Sequence, residues 1–585
     1  MALLPKASAS LNEAGGGIGI STDLVCVLST SSSGTAGQLG LYSNINDVVA
    51  QFGSGEGVDF AAHYIKALGK PVLMGRMNAS VSATTGPLDL SLVAGTSVIS
   101  FTGTPLDDEA IVLNVVAGGT IGVAGITFRY SRDQGNTWSG VINLGTATTF
   151  AIPGTGMTAN FAAGTLIGQT STSSTKPYQQ TGGDTAILYC DSPKWNSTDL
   201  TACFTALKAG NILPRIVLVC GEVSDATHLQ NCIDAINDYE TSASRASHVI
   251  CSFRDRYHPA VAQVGTTQTI AVAAGPPGTY TRSAGSWITD GFQVGMTATF
   301  AGFTNAANNG SHVISAVSAT VLTTLDTLVV EVAATGRSAS AVETKPTWSA
   351  ALDAVLGTTP ATLKISHRTM FTGGRARRTN PNNGWRKRRP SAWAIVMQEM
   401  AHDVQVSPSE WGLYLGGCPG WTITDVFGQL EEYDERVDGG LLQRRVAGLT
   451  TVDTLAGCYV SLPVTLDTEA APLSRLPVGL VGDILFTVVK VETTLKLGQR
   501  IVLNDDGTPK ESECQRIERY IRSRLSAALL TPGREGQRAS NVSYTFPRNV
   551  NLLTPGTVVP CASGYTPLGY LEQIITTINV ALPGG

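Results

Sequence analysis

The stretch that decides the fold is INDVVAQFGSGEGVDFAAHYIKALGKPVLMGRM, residues 45–77. Its second half predicts an amphipathic helix, because apolar residues recur there at helical spacing, namely Val58, Ala61, Ala62, Ile65 and Leu68. The apolar run TDLVCVLST (22–30) predicts a buried strand before it, and PVLMGRM (71–77) predicts the next strand. This order predicts a β-α-β unit that ends near residue 80.

The same alternation of strand and helix returns further along the chain. A capped helix, a strand, a helix and a strand are predicted by WNSTDLTACFTALKAG (195–210), PRIVLVCGE (214–222), DATHLQNCIDAINDYETSA (225–243) and SHVICSFRD (247–255). The continuously apolar PRIVLVCGE is typical of a strand buried on both faces. A helix, a strand and a helix follow in PTWSAALDAVL (346–356), ATLKISH (361–367) and SAWAIVMQEMAHDV (391–404). Residues 21–80, 181–258 and 346–480 therefore predict one α/β core.

Two segments without helical periodicity interrupt this core. Residues 81–180 are rich in Thr, Gly and Val, and RYSRDQGNTWSG (129–140) predicts a β-hairpin with a Gln-Gly-Asn turn. Residues 259–345 alternate through short strands that are separated by Gly and Asn-Gly turns. We expect two inserted all-β domains, each a small barrel or sandwich.

The last part of the chain predicts a compact α+β domain over residues 481–570. ILFTVVKVE (484–492) predicts a strand, residues 511–530 predict a helix, and NVSYTF (541–546) predicts another strand. The run from Ile574 to Val580 is β-branched and uncharged, which predicts a terminal strand. An uncovered terminal strand has an open edge, so it pairs with its own domain or with another chain.

Composition limits the possible functions. The 585 residues are enough for about three to five domains. The net charge is −5, which gives no reason to expect nucleic-acid or membrane binding by the whole chain. Only 15% of residues are charged, a low fraction that suits β-rich domains and large contacts with neighbouring chains. The ten cysteines form no CxxC and are expected to be buried thiols in a reducing compartment.

The sequence contains no recognisable catalytic motif. It lacks a P-loop, an HExxH and a GxSxG elbow, so we expect neither an enzyme nor a bound cofactor or metal. The glycines of FGSGEG (52–57) precede a helix but lack GxGxxG spacing, which favours tight helix–strand packing over a phosphate site. His402 and Asp403 are neighbours in a predicted helix and would not face each other.

One dense basic segment lies at residues 375–389. Its seven cations surround Trp385 and are Arg375, Arg377, Arg378, Arg386, Lys387, Arg388 and Arg389. A solvated loop, phosphate binding, and contact with an acidic surface in cis or on a neighbour all stay open, and protein contact is favoured. An acidic stretch could be its partner, with Glu431, Glu432, Asp434, Glu435 and Asp438.

The N-terminal part resembles contractile phage tail sheath proteins. The features that carry this resemblance are Phe52-Gly53, the Ala-rich helix after it, and the segment from Gly69 to Arg76, in that order. EYDERVDGGLL (432–442) followed by a C-terminal α+β domain is similar to the later part of such sheaths. The two inserts and the long basic loop depart from the family pattern.

The resemblance implies a structural subunit of a virion tail that is assembled in the host cytoplasm. Such subunits polymerise as stacked sixfold rings around a tail tube, contact baseplate and terminator proteins, and contract to drive the tube through the host envelope. It also implies terminal arms that exchange strands with neighbouring subunits. The candidate arm residues are Ile574, Ile575, Ile578 and Val580 after residue 571, and the hinge Gly15, Gly16 and Gly17 within residues 1–20.

Other functions remain open at this stage. A baseplate component or an adhesin with carbohydrate-binding β modules is one alternative, although no fibre repeats occur. An α/β enzyme with accessory domains is another, although no catalytic set is apparent. A tailocin or a bacterial injection system would use the same kind of sheath.

Overall fold

The structure is a computed structural model of the chain. It describes all residues except 1–23, 84, 170–182, 211–212, 224, 244, 254–261, 265–267, 288–289, 291, 293–295, 342–351, 354, 358–362, 411–416, 424–440, 442–443, 452–454, 469–470, 497–498, 533–534, 555–556, 558 and 570–585. The described residues form two compact units. The first comprises residues 24–401 and 408–475, and the second comprises residues 402–407 and 476–569.

A seven-stranded sheet organises the first unit. Its strands, in spatial order, are β2 (Leu39–Tyr42), β3 (Val72–Met77), β1 (Val25–Thr30), β14 (Ile216–Val219), β15 (His248–Ser252), β24 (Thr369–Thr372) and β27 (Val446–Ala447). Neighbours from β3 to β27 are parallel, and β2 pairs antiparallel at one edge. All residues of β1, β14, β15 and β24 are buried, as expected of a sheet that is covered on both faces.

The core contains the helices α1 (Ile45–Phe52), α2 (Glu56–Leu68), α3 (Ser197–Ala209), α4 (Ala226–Ala243) and α5 (Ser391–Ala401). The predictions of α2, α3, α4 and α5 are confirmed, whereas α1 was not predicted. The helix predicted at residues 346–356 lies mostly outside the described residues. Asn196 and Asp199 form a capping box that fixes the start of α3. Gly69 ends α2 in the left-handed conformation, which glycine adopts without a Cβ clash. The predicted β-α-β unit therefore exists, with β1 and β3 as parallel neighbours.

The first insert has its own hydrophobic core and three sheets. The five-stranded sheet contains β4 (Thr85–Leu92), β13 (Thr185–Cys190), β6 (Glu109–Ala117), β8 (Thr127–Ser131) and β9 (Ile142–Asn143). The smaller sheets contain β10 (Thr149–Ala151), β11 (Met157–Phe161) and β5 (Ile99–Gly103), and β12 (Thr165–Leu166) with β7 (Gly119–Thr120). The insert sheet therefore reaches Cys190, beyond the expected border at 180.

The second insert is an eight-stranded sheet around a separate core. In spatial order its strands are β16 (Ala262–Val264), β23 (Ser338–Ala341), β19 (Thr297–Ala301), β20 (Gly310–Val317), β21 (Val321–Thr324), β18 (Thr279–Arg282), β17 (Ile270–Ala273) and β22 (Glu331–Ala334). A short 3-10 turn, Ala306–Asn308, precedes β20. Both inserts follow strands of the core sheet at their carboxyl ends, the first after β3 and the second after β15.

Two short hairpins complete the first unit. One pairs β25 (Arg375–Arg377) with β26 (Arg388–Pro390), and the other pairs β28 (Leu449–Thr450) with β29 (Tyr459–Val460). The strand predicted at ATLKISH is wrong for its described part, residues 363–367, because the chain joins the core sheet at Thr369, where β24 begins. Residues 369–372 are all buried, whereas Leu363 and Ile365 are exposed.

The second unit combines two helices with a two-stranded sheet. Its elements are α6 (Leu476–Thr494), α7 (Glu511–Leu525) with a π-helical turn at Ser526–Leu530, β30 (Ala539–Thr545) and β31 (Ala562–Pro567). The strand predicted at ILFTVVKVE is wrong, since these residues lie inside α6, and the expected boundary at 481 also falls inside it. A short apolar run cannot distinguish a strand from a helix that is buried on most of its surface.

Candidate functional site: the crevice at the carboxyl edge of the core sheet

The core sheet has a topological switch point between β1 and β14. The connection from β1 leads through α1 and α2 to β3 on one side, and the later strand β14 pairs with the other side of β1. Open α/β sheets bind ligands in the crevice outside the carboxyl ends of the strands at such a point. The contents of this crevice therefore decide what the core can do.

The first turn of α2 closes one side of the crevice. Gly57 N donates to Ser29 Oγ at the end of β1 over 2.9 Å, and a Cβ at Gly57 would lie 2.4 Å from Ser29 Cβ. The Glu56 carboxylate accepts the backbone N–H of Gly221 at 2.9 Å, in the loop that follows β14. The glycines of FGSGEG thus serve tight packing, and the Glu56 carboxylate is bound by a backbone N–H of the chain itself.

Arg389 of β26 lies against the first turns of α2, beside the crevice. Its guanidinium is almost fully buried and binds Asp107 of the first insert through two bonds, Nη1–Oδ1 at 2.8 Å and Nη2–Oδ2 at 2.6 Å. Its Nη2 also donates to Asp59 of α2. A two-pronged guanidinium–carboxylate contact fixes both groups in direction as well as distance. Arg389 therefore joins the hairpin, the insert and the α/β core at one point.

Further ion pairs extend this contact into a network. Lys387 Nζ lies 2.6 Å from Asp107 Oδ2 and 3.0 Å from Glu109 Oε2. Glu109 also binds Arg132 of the insert, with Nε–Oε2 at 2.6 Å. We call this group the ionic cluster, and its members are Glu56, Asp59, Asp107, Asp108, Glu109, Arg132, Glu222, Arg375, Lys387 and Arg389.

Burial and mutual attraction compete in the titration of this cluster. Burial alone would raise the pKa of Asp107, but the charges of Arg389 and Lys387 outweigh it and hold this pKa well below its usual range. Burial raises the pKa of Glu56 to about 7, against the lowering effect of Arg389 and Arg375. The pKa of Arg389 lies well above its usual value, because Asp107 and Asp59 outweigh its desolvation. Arg389 and Asp107 therefore stay ionised at neutral pH.

The tip of the basic hairpin binds a turn of the first insert. The turn joins β8 to the rest of the predicted hairpin and has Gln134 and Gly135 at positive φ. Asp133 Oδ2 accepts Arg386 N at 2.8 Å, and Arg377 Nη2 donates to Gln134 Oε1 at 2.6 Å. Trp385 packs on Tyr130, with ring centroids 5.9 Å apart. The predicted hairpin is confirmed, and it forms a docking surface for the basic segment.

Sequence reasoning missed the acidic side of this interface. The run Asp107-Asp108-Glu109 was a usable signal, since three adjacent acids are conspicuous in a chain with 15% charged residues. A second signal was the spacing Ser131-x-Asp133-x-Gly135-x-Thr137. Ser131 Oγ donates to Asp133 Oδ1 at 2.7 Å and accepts Gly135 N at 2.8 Å, and Thr137 Oγ1 donates to Asp133 Oδ2 at 2.6 Å.

The basic segment is mostly internal. Four of its cations are buried, namely Arg375, Arg377, Lys387 and Arg389, so the solvated-loop interpretation is wrong for them. Their contacts are made in cis with carboxylates and carbonyls of the insert and the core. Arg378, Arg386 and Arg388 are partly exposed, and Arg386 donates to Thr422 Oγ1 at 2.6 Å.

Several predicted site residues lie outside the described residues. They are the acidic stretch with Glu431, Glu432, Asp434, Glu435 and Asp438, the arm residues Ile574, Ile575, Ile578 and Val580, and Gly15, Gly16 and Gly17. His402 and Asp403 are described, and each has its own partner. His402 Nδ1 lies 2.6 Å from Glu535 Oε1, and Asp403 Oδ1 lies 3.2 Å from Arg538 Nη2.

The described part of the chain holds no group of three His, Cys, Asp or Glu side chains with the arrangement of a metal site. Within that same part, no helix has both the length and the apolar character needed to cross a membrane. The acids of the crevice are engaged by cations or backbone N–H groups of the chain itself. Chemically, this arrangement can hold three parts of the protein in a fixed relation.

Comparison with known proteins gave matches among solved structures only. No family model and no curated protein matches the chain. A sheath tail protein from Listeria innocua is 10% identical, with a TM-score of 0.37 over 94% of this chain and 96% of that chain. A sheath tail protein from Desulfitobacterium hafniense is 10% identical, with a TM-score of 0.38 over 97% and 100%. The sheath complex of an extracellular contractile injection system in its contracted state is 10% identical, with a TM-score of 0.27 over 37% and 58%. All three TM-scores are below 0.5.

Replacing Asp107 by Asn tests the ionic cluster. The variant removes the counter-charge that Lys387 and Arg389 share and leaves Lys387 with Glu109 and Arg389 with Asp59, so we expect the opening free energy of residues 107–115 to fall by about 3 kcal/mol at pH 7. The folded-state pKa of Asp107 is depressed, so its contribution is present above its unfolded-state pKa of about 4 and declines as the pH falls further. Hydrogen exchange at pH 7 and pH 3 should therefore show a smaller difference at pH 3.

One control variant and one further cluster variant accompany this test. Asp238→Asn removes an exposed partner of Lys208, so it should lower the opening free energy around its own site by less than about 1 kcal/mol at either pH. Glu56→Gln should show the opposite pH dependence, gaining stability over wild type as the pH rises from 5 to 8, because the raised folded-state pKa of Glu56 penalises its ionised form. Equal effects of Asp107→Asn and Asp238→Asn would contradict the cluster.

Proposed function

We propose that this chain is the structural subunit of a contractile tail sheath, which polymerises as stacked rings around a tail tube and contracts to drive the tube through a host envelope. The observation that carries the proposal is the segment 45–77. Its sheath-like order of Phe52-Gly53, Ala-rich helix and Gly69–Arg76 coincides with α1, α2 and β3, beside the central strand β1. The subunit works in a virion tail or a related injection particle after assembly in the host cytoplasm.

The filled crevice supports a structural role over an enzymatic one. An α/β enzyme keeps the carboxyl edge of its sheet open for substrate, whereas here Glu56, Asp107 and Arg389 occupy it. The charged side chains that could bind a ligand there form hydrogen bonds with other parts of the same chain. Contraction requires no nucleotide in this proposal, because the energy comes from subunit contacts that differ between two packed arrangements.

The ionic cluster has a role in this mechanism. A subunit that moves during contraction must keep its inserted domain in register with its core. Buried ion pairs are strongly directional and are screened little by salt, so they keep the first insert attached as the subunit moves. The first insert and the α/β core then move as one body, and the second insert adds outer surface.

The terminal segments are proposed to link subunits. β30 and β31 form a two-stranded sheet, and most residues of β31 are exposed. A two-stranded sheet is only marginally stable, so its open edge favours further strands. The arm 571–585 adds a strand to such a sheet in a neighbouring subunit, and its strand residues are Ile574, Ile575, Ile578 and Val580. Residues 1–20 join the same sheet, with Gly15–Gly17 as their hinge.

The exposed face of α7 is proposed to contact an acidic tail tube. Arg516, Arg522 and Arg524 of this helix pair with Glu513, Glu518 and Glu492 respectively. Arg519 is exposed, and among the described residues its Nε donates only to the helix carbonyl of Gln515, at 3.3 Å. Its positive charge is therefore available to a partner. The partly exposed Arg386 and Arg388 are a second candidate contact for the tube.

Removal of residues 571–585 tests the sheath proposal. We expect the purified full-length chain to form striated tubes or stacked rings in negative-stain electron microscopy as its concentration rises. The truncated chain should remain a folded monomer, because the exchanged strand is absent. As the control, removal of 583–585 alone should leave polymer formation unchanged.

Normal tubes from the chain that lacks 571–585 would refute the arm proposal. Persistent monomers of the full-length chain, both alone and with its tail tube protein, would refute the sheath proposal itself.

Charge reversal at Arg519 tests the tube contact. Arg519→Glu should reduce co-sedimentation of the chain with assembled tail tubes by roughly tenfold or more, because like charges would then face each other. Self-assembly without tubes should not change. Lys66→Glu makes the same charge change at an exposed site at the end of α2 and should bind tubes normally. Equal binding by both variants would exclude the exposed face of α7 as the contact.

A further inference from the structure

Two cysteines that are forty positions apart face each other in the first unit. Cys418 lies in a turn, and Cys458 directly precedes β29. The backbone N–H of Cys418 donates to the carbonyl of Cys458 over 2.6 Å, and both side chains are buried. Gly417 lies so close that a Cβ there would be 2.1 Å from the Cys458 carbonyl oxygen. This backbone contact therefore fixes the position of Cys418 relative to Cys458.

The thiols of this pair are in contact. Cys458 and Cys418 share a side-chain hydrogen bond, and Cys458 Sγ also donates to the Trp421 carbonyl over 3.5 Å. Trp421 N closes the turn by donating to Cys418 O at 3.1 Å, with Gly420 at a φ of 75°. This is the arrangement of a β-turn with Pro419 and Gly420 at its centre. The turn fixes Cys418 against Cys458.

A cation lies beside Cys418. Arg378 interacts electrostatically with the Cys418 thiol, and its guanidinium stands 5.8 Å from the centroid of the Trp421 ring. Its Nη1 contacts Met397 Sδ at 3.4 Å, and no carboxylate pairs with it among the described residues. Arg378 thus differs from the neighbouring cations of the basic segment that carboxylates neutralise.

We propose that Cys418 and Cys458 form a redox site that closes to a disulfide by exchange with a low-molecular-weight disulfide such as oxidised glutathione. Cys418 is buried, so the turn that bears it must first open locally to the oxidant. The Cys418 thiolate then attacks one sulfur of the oxidant, forms a mixed disulfide and releases one thiol. Cys458 then loses its proton and attacks the Cys418 sulfur, which releases the second thiol. Two protein thiols are oxidised, and one external disulfide is reduced to two thiols.

The surroundings assign the two cysteines different roles. The hydrogen bond with Cys418, followed by burial, raises the pKa of the Cys458 thiol well above its usual value. Cys458 therefore stays protonated until the mixed disulfide has formed. Cys458 is therefore the resolving thiol, and Cys418, which lies in the turn, is the attacking thiol.

A second thiol pair offers an internal comparison. Cys232 of α4 and Cys251 of β15 also share a side-chain hydrogen bond, and both are fully buried in the core of the α/β sheet. Only burial and Cys251 act on the Cys232 thiol, so no cation assists it. Opening this pair requires disruption of the central sheet, whereas Cys418 lies in a turn. We expect the Cys232–Cys251 pair to stay reduced.

The disulfide would close a loop that contains the acidic stretch 431–438. A chain made in a reducing cytoplasm would carry the open dithiol, and the same chain in an oxidising medium would carry the closed form. This inference is independent of the proposed sheath function.

The experiment uses the full-length chain, reduced and then incubated with oxidised glutathione. Free thiols are blocked with N-ethylmaleimide under denaturing conditions, and peptides are mapped by mass spectrometry without reduction. We expect a cross-linked peptide pair that joins Cys418 to Cys458. Cys232 and Cys251 should stay reduced during the incubation and so be found alkylated by N-ethylmaleimide. Exposed Cys561 should acquire glutathione and so report that the oxidant is active.

Two outcomes would overturn the proposal. One is a fully reduced Cys418–Cys458 pair after Cys561 has reacted completely. The other is oxidation of all buried thiols at one rate, which would show that the reaction follows global unfolding.

Variants test the assigned roles. Cys458→Ser should trap Cys418 as a mixed disulfide with glutathione, and an unmodified Cys418 would reverse the order of attack. Arg378→Gln should slow cross-linking about fivefold, because the positive charge beside Cys418 would no longer attract oxidised glutathione, which is an anion at neutral pH. Arg500→Gln, at an exposed position, should not change the rate. Equal rates for the two arginine variants would remove Arg378 from the site.

Discussion

The contact of Arg389 with Asp107 and Asp59 is the constraint on which the first unit depends. A buried guanidinium is costly unless carboxylates surround it, and these two come from different parts of the chain. The contact can form only when the hairpin that bears Arg389, the first insert and α2 have all reached their places. It therefore couples the folding of an inserted domain to the folding of the core. A hydrophobic contact of the same area is less directional, so it would fix the position of the insert less precisely.

The location of this contact explains why the polar groups at the carboxyl edge of the core sheet are bound within the chain itself. The carboxyl edge of a parallel sheet gathers backbone N–H groups, and in enzymes they face a ligand. Here Glu56 accepts one of them, and the cations of the hairpin neutralise the acids that the insert brings. A β domain that follows β3 thereby becomes a fixed extension of the core. Its separate hydrophobic core allows it to fold around its own sheets, while the ionic cluster sets its position.

The sequence was informative where local signals dominate. Helical periodicity and caps predicted α2 and α3, and the Gln134-Gly135 turn predicted its hairpin. It failed at ILFTVVKVE, because the β-branched residues of a largely buried helix have no polar face to show the period. The partners of Arg389 and Lys387 could not be predicted, since Asp107 lies about 280 positions away and local patterns carry no information on such distances. The basic segment was found, but its acidic partners were sought in a different stretch.

The most direct measurement of the central claim is a double-mutant cycle between Asp107 and Arg389, with Asp107→Asn, Arg389→Met and both together in the full-length chain. Hydrogen exchange of residues 384–390 would give the opening free energy of the hairpin in each. Direct, buried pairing predicts a coupling energy of about 2 kcal/mol or more. A coupling energy within about 0.3 kcal/mol of zero would show that the two residues act independently, and would contradict the assignment of this contact as the joint between insert and core.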